Sequence, residues 1–167
     1  MAPLPGALGG RELWAWRLDV EPRAAAWDSG VGAERYGGRW NVKGQRAVYC
    51  ALDPATAILE VAVHTGFDVL DTTAHVLTAA VVDPASVRVV HPAEVANPGW
   101  LVPGTPSLGQ QLFGSRLLAE HGVVVFPSAV SSRSWNLVIE PGVAKGRYAL
   151  GAQERFAMDP RLHPPGR

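Results

Sequence analysis

The stretch that most restricts the fold is QRAVYCALDPATAILEVAVHTG, residues 45–66. Its first part, AVYCA, is a short apolar run with a β-branched residue and an aromatic, which predicts a buried strand. The next part is punctuated as a helix: Asp53 sits at the N-cap, Pro54 at the first helical position and Gly66 at the stop. A buried strand running directly into a capped apolar helix requires a sheet with a helix packed on it.

The remaining elements extend this pattern. LWAWRL (13–18) predicts a strand carrying Arg17. The segment from Asp19 to Gly38 reads as a shaped loop with a short helix around Arg23 to Trp27 and paired glycines at its end. Apolar runs at His75 to Val82 and Val87 to Val90, separated by DPAS, predict neighbouring strands. Leu108, Leu112, Phe113, Leu117 and Leu118 recur at helical spacing between Ser107 or Thr105 as cap and Gly122 as stop. VVVF (123–126) and WNLVIEP (135–141) predict two more strands. Five or six short strands with two helices make an α+β single domain. Residues 1–12 read as a flexible N-terminal segment, 13–150 as the folded domain and 151–167 as a tail.

Composition removes several classes of function. Lys and Arg balance Asp and Glu at 15 each, so no global field draws in nucleic acid or an anionic membrane. No apolar run approaches the roughly 20 residues of a membrane span, and MAPLPGALGG has neither a basic n-region nor a long apolar core, so neither membrane insertion nor secretion is expected. The single cysteine, Cys50, lies in an apolar run with no obvious base, which fits a small buried residue in a reducing cytoplasm. The five histidines have no ligand spacing, and neither CxxC nor HExxH occurs, so no metal site is expected. GVGAERYGG lacks the strand-turn-helix setting of a dinucleotide fingerprint, and no Walker A pattern is present.

Glu60 interrupts AILEVAV, the most apolar part of the predicted helix. Either it snorkels to water or it faces a pocket, where a carboxylate could bind sugar hydroxyls or stabilise an oxocarbenium-like centre. The loop RYGGRWNVKG supplies the complement. Gly37 and Gly38 would admit a ligand close to the backbone, Arg39 offers a fork for phosphate, and Trp40 and Tyr49 offer faces for a flat ring. The plain alternative is a tight turn with a core tryptophan and a surface arginine. Asn41 and Lys43 read as ordinary loop residues. Ser128, after Pro127, and Asn136, opening a strand, suit either a ligand or the local turn.

Taken in order, WRL, GAERYGGRWNVKG, AVYCALDPATAILEVAVH, VFPSAV and WNLVIEP resemble the RES domain family of bacterial toxins over about residues 14–141. The resemblance implies an ADP-ribosyltransferase-like core with a split, mostly antiparallel sheet. It implies an enzyme that takes NAD as substrate, uses no cofactor, and cleaves the nicotinamide–ribose bond with water or phosphate. It assigns catalytic roles to Arg39 and Glu60, and substrate binding to Arg17, Tyr49, Ser128 and Asn136. It also implies a cognate Xre-type helix-turn-helix antitoxin that blocks the cleft, with a homodimer of the toxin within that complex. The alternatives are a mono-ADP-ribosyltransferase acting on a protein and a silent nucleotide-binding module.

Overall fold

The computed structural model describes residues 12–159 and Arg161. The expected strand-to-helix unit is present: β2 (Val48–Ala51) leads into α2 (Pro54–Thr65). Asp53 accepts from the Thr56 amide at 2.8 Å, and Gly66 ends the helix at a φ of 86° that favours glycine. Around this unit run β1 (Leu13–Val20), α1 (Val31–Tyr36), α3 (Phe67–Thr72), β3 (His75–Val82), β4 (Val87–Val89), α4 (Leu108–His121), β5 (Val123–Pro127), β6 (Trp135–Ile139) and β7 (Tyr148–Phe156). Ser107 caps α4 by accepting from the Gln110 amide.

The strands form one seven-stranded sheet in the order β4-β5-β6-β2-β1-β3-β7, and only β4 and β5 are parallel. Its centre is split. β1 pairs with β3 along its whole length, from Leu13↔Val82 to Val20↔His75, yet meets β2 at the single pair Trp16↔Ala51. Beyond that pair β1 and β2 part, leaving unladdered backbone in the middle of the sheet. The fold is therefore α+β with a split, mostly antiparallel sheet, as the sequence implied.

Alternation along the strands divides the core. Ala15, Cys50, Val125 and Leu137 face one cluster, closed by Trp27 and Ala144. The opposite face carries two clusters. One packs Leu117 and Leu118 of α4 on Val124, Phe126 and Val138; the other packs Ala62 of α2 and Leu70 of α3 on Leu18 and Leu77.

Four expectations change. β3 and β4 are not neighbours, because the three-residue turn Pro84–Ser86 redirects the chain and β4 pairs with β5 at the far edge, where the Val90 amide also bonds the Val125 carbonyl. The segment expected to be a tail from residue 151 supplies most of β7, whose ladder to β3 runs from Tyr148 to Phe156. Its side chains between the two ends are exposed, so the strand has no apolar periodicity to read. Residues 31–36 form a helix between Gly30 and Gly37 instead of a loop, and α3 adds a short helix where the sequence carries no signal for one. The N-terminal segment lies outside the described residues except for the exposed Glu12. Among the described residues no helix is long and apolar enough to cross a membrane.

Candidate active site

Glu60 faces inward. From α2 it meets two residues distant in sequence, Ser128 just after β5 and Asn136 on β6. Ser128 Oγ donates to Glu60 Oε1 at 2.9 Å, and Asn136 Nδ2 donates to the same oxygen at 2.7 Å. Ser128 is fully buried and Asn136 nearly so. The amide orientation is the one chemistry requires, since an amide oxygen turned to a carboxylate would repel it. It leaves Asn136 Oδ1 buried without a protein partner.

These positions follow from the strands. Asn136 is opposite both Ala51 of β2 and Phe126 of β5, so it stands next to the start of α2 and the end of β5. Ser128 is fixed by its own turn: its Oγ accepts from the amides of Val130 and Ser131, at 3.2 and 3.0 Å. One hydroxyl thereby shapes the 128–131 turn and grips Glu60.

The loop bearing Arg39 approaches from the α4 side. Tyr49 on β2 donates its hydroxyl to Asn41 Oδ1 at 2.7 Å and accepts from the Trp40 amide at 3.0 Å. Burial pushes the phenol strongly upward in pKa, the Trp40 amide and Arg39 oppose this, and Glu60 adds a weak push in the same direction as burial. The phenol thus stays a protonated donor, and Arg39 and Glu60 both act on it electrostatically. Arg39 itself donates Nη1 to the Trp100 carbonyl at 2.7 Å, leaving its Nε and Nη2 edge outside that contact.

Two expectations about this loop are corrected. Trp40 is not a platform for a ring: it is 1 % exposed and stacks on Phe126, with centroids 4.3 Å apart and planes 7° from parallel. Gly38 is not an opening for a ligand either. A Cβ there would collide with the Tyr49 hydroxyl and Asn41 Oδ1, so the glycine serves the seating of Tyr49. Asn41, which reads as an ordinary loop residue in the sequence, is completely buried and donates to the carbonyls of Ala33, Val42 and Gln45.

Arg17 is not in hydrogen-bond contact with the Glu60 cluster. It shares a strand face with Ala15 and Asp19, forms a two-pronged pair with the buried Asp19 carboxylate at 2.8 and 2.6 Å, and donates Nη1 to the Tyr49 carbonyl at 3.0 Å. It therefore bridges the split between β1 and β2, satisfying a carbonyl that no ladder reaches there. Sequence reasoning misses Asp19, although its place two residues after Arg17 puts both on one strand face. A cavity of about 300 Å³ at the start of α4 is lined by Val95, Asn97, Ser107, Gln110 and Phe113, and by none of the predicted site residues. Among the described residues no group of three His, Cys, Asp or Glu side chains is arranged to hold a metal ion.

The arrangement provides a carboxylate fixed at one oxygen by two neutral donors, and an arginine fork whose field, like that of Glu60, reaches Tyr49. A carboxylate so held meets a developing positive charge without first having to reorganise. A planar guanidinium suits an oxyanion such as a phosphate.

Comparison with known proteins places the chain as a whole. A family model described as RES domain matches residues 14–159. A "Toxin Res" of Pseudomonas putida is 34% identical over 151 residues, covering 88% of this chain and 97% of the relative. A "Prs ADP-ribosylating toxin" of a Sphingobium species is 33% identical over 160 residues, covering 88% and 94% of the two chains. Among solved structures, the M. tuberculosis MbcT-MbcA toxin-antitoxin complex contains a chain of like fold, with a TM-score of 0.73 at 22% identity over 93% of this chain and 92% of that one.

Proposed function

The chain belongs to the RES domain family, and on that footing we propose that it is the toxin of a toxin–antitoxin system that degrades NAD at the nicotinamide–ribose bond. The observation that carries this is the grip of Ser128 and Asn136 on a single oxygen of Glu60. Nicotinamide is bound to ribose as a cation, so when the N–C1′ bond breaks its electron pair returns to the ring nitrogen and nicotinamide leaves neutral. The positive charge passes to the ribose as an oxocarbenium-like centre, which a fixed carboxylate stabilises. Water or phosphate then forms the new bond to C1′, giving ADP-ribose with release of a proton, or a ribosyl phosphate. The Arg39 fork suits the pyrophosphate. No cofactor takes part in this reading; NAD is the substrate, and its consumption takes place in the cytoplasm.

The test is incubation of purified protein with NAD, with and without phosphate, and identification of the products by mass. Free nicotinamide with ADP-ribose, or with its phosphate adduct, supports the reading; full recovery of NAD sinks it. A second reading, transfer of ADP-ribose to a protein side chain, is supported by the Sphingobium relative named as an ADP-ribosylating toxin. It predicts label from adenine-labelled NAD on a protein acceptor. The solved toxin of like fold is in complex with an antitoxin, which supports a protein inhibitor here too; its helix-turn-helix kind and its seat over the face bearing Arg39 and Tyr49 are part of the proposal.

A further inference from the structure

The 38–45 loop that carries Arg39 is gripped from a second side, by α4. Gln111 Nε2 donates to the Gly38 carbonyl at 2.9 Å, the residue immediately before Arg39. One turn further on, Ser115 Oγ accepts from the Val42 amide at 2.9 Å, and the Ser115 carbonyl accepts from Gln45 Nε2 at 3.0 Å. Between them Gly114 lies so close to Trp40 that a Cβ would collide with the Trp40 backbone. Gln111, Gly114 and Ser115 share one helix face at spacings of three and four, so this stripe of α4 is a mould for the loop.

From this geometry we propose that Gln111 and Ser115 are positioning residues that act through Arg39. The backbone on either side of Arg39 is fixed: Gly38 by Gln111, and Trp40 by Tyr49 and by its packing on Gly114. The guanidinium tip is fixed by the Trp100 carbonyl. An arginine held at its root and its tip presents its remaining donors in one direction, and a ligand then loses less by ordering it. Loosening the root leaves the charge in place but spreads its direction. The effect falls on binding of the diphosphate and not on bond breaking, which belongs to Glu60.

The inference rests on the NAD reading above, and its test separates the two. Gln111→Ala and Ser115→Ala place a good helix former in α4, so the helix is retained. The net worth of one hydrogen bond predicts a KM for NAD raised on the order of three- to tenfold in each variant, with kcat changed less than about twofold. Ser115→Thr, which keeps the hydroxyl, restores the wild-type KM. In an Arg39→Lys background, which has no fork to orient, Gln111→Ala and Ser115→Ala add no further rise. Titration with ADP-ribose gives the same order of affinities. Wild-type turnover with unchanged KM in both alanine variants, or an equal KM rise in the lysine background, overturns the inference alone. Wild-type protein that neither consumes NAD nor binds ADP-ribose overturns the NAD reading and this inference together.

Discussion

Ser128 and Glu60 stand 68 residues apart in the chain and 2.9 Å apart in the fold, joined by a hydrogen bond from a fully buried hydroxyl to a carboxylate. Because that hydroxyl also accepts two amides of its own turn, Ser128→Ala removes both the grip on Glu60 and the support of residues 128–131. A hydrogen bond to a charged group contributes about 1.5–3 kcal/mol, so kcat for NAD cleavage falls on the order of ten- to a hundredfold. The Tm falls as well. Ser128→Thr keeps the hydroxyl and recovers part of both quantities, and wild-type kcat in the folded alanine variant would remove Ser128 from the account.

Gly114→Ala tests how rigidly α4 is seated against the Arg39 loop. The added methyl meets backbone, Trp40 O and Trp40 Cα, not a movable side-chain end. Elsewhere in an exposed helix the same change would raise stability by up to about 1 kcal/mol through propensity. Here overpacking dominates, and stability drops by about 1–3 kcal/mol in denaturant unfolding. A stabilised variant would show that the loop yields easily.

Arg39→Lys keeps the charge and loses the fork, including its bond to the Trp100 carbonyl as now formed. NAD affinity, measured by titration, weakens on the order of tenfold while the fold is kept, the scale of one charge-assisted hydrogen bond. Equal affinity in the lysine variant would make Arg39 a turn residue.

Burial pushes the Cys50 thiol up to about 12 from an ordinary 9.0, with nearby Arg17 opposing and Asp19 reinforcing the shift. A folded-state pKa above the unfolded one means that the folded protein holds the proton longer. The stabilising effect is complete below about pH 9 and is lost as pH rises from there towards 12. Cys50→Ala therefore flattens the decline of stability in that window, measured by urea unfolding at stepped pH. In the native protein at about pH 8 the thiol resists alkylation, because the thiolate is the reactive form. Rapid labelling of folded protein would contradict the buried assignment.

The capped helix and the buried strands are legible because burial and caps write directly into sequence: Asp53, Pro54 and Gly66 each sit where a helix needs them. β7 is not legible, because its stability comes from a backbone ladder to β3, which leaves no side-chain pattern. The pairing of β4 with β5 joins residues more than thirty apart and depends on where α4 returns the chain, a tertiary fact. In the site, family resemblance names Glu60, Ser128 and Asn136, but their spacing along the chain says nothing of their meeting, since three separate elements bring it about. Gly38 looks like a ligand contact in the sequence because a glycine beside an arginine reads alike whether it admits a ligand or seats a neighbouring side chain. Only the collision that a Cβ at Gly38 would make with the Tyr49 hydroxyl separates the two.

The most direct test of the central claim is NAD consumption by Glu60→Gln beside the wild type. The amide keeps the size of the side chain and can still accept from Ser128 and Asn136 through its oxygen, so the fold and NAD binding persist while the fixed negative charge is gone. The account predicts that nicotinamide release falls by on the order of a hundredfold or more, the scale for removing one preorganised electrostatic group, with NAD affinity little changed. Expression of the wild type without its antitoxin lowers cellular NAD and arrests growth, and the variant does neither. Nicotinamide release at the wild-type rate by folded Glu60→Gln would contradict it.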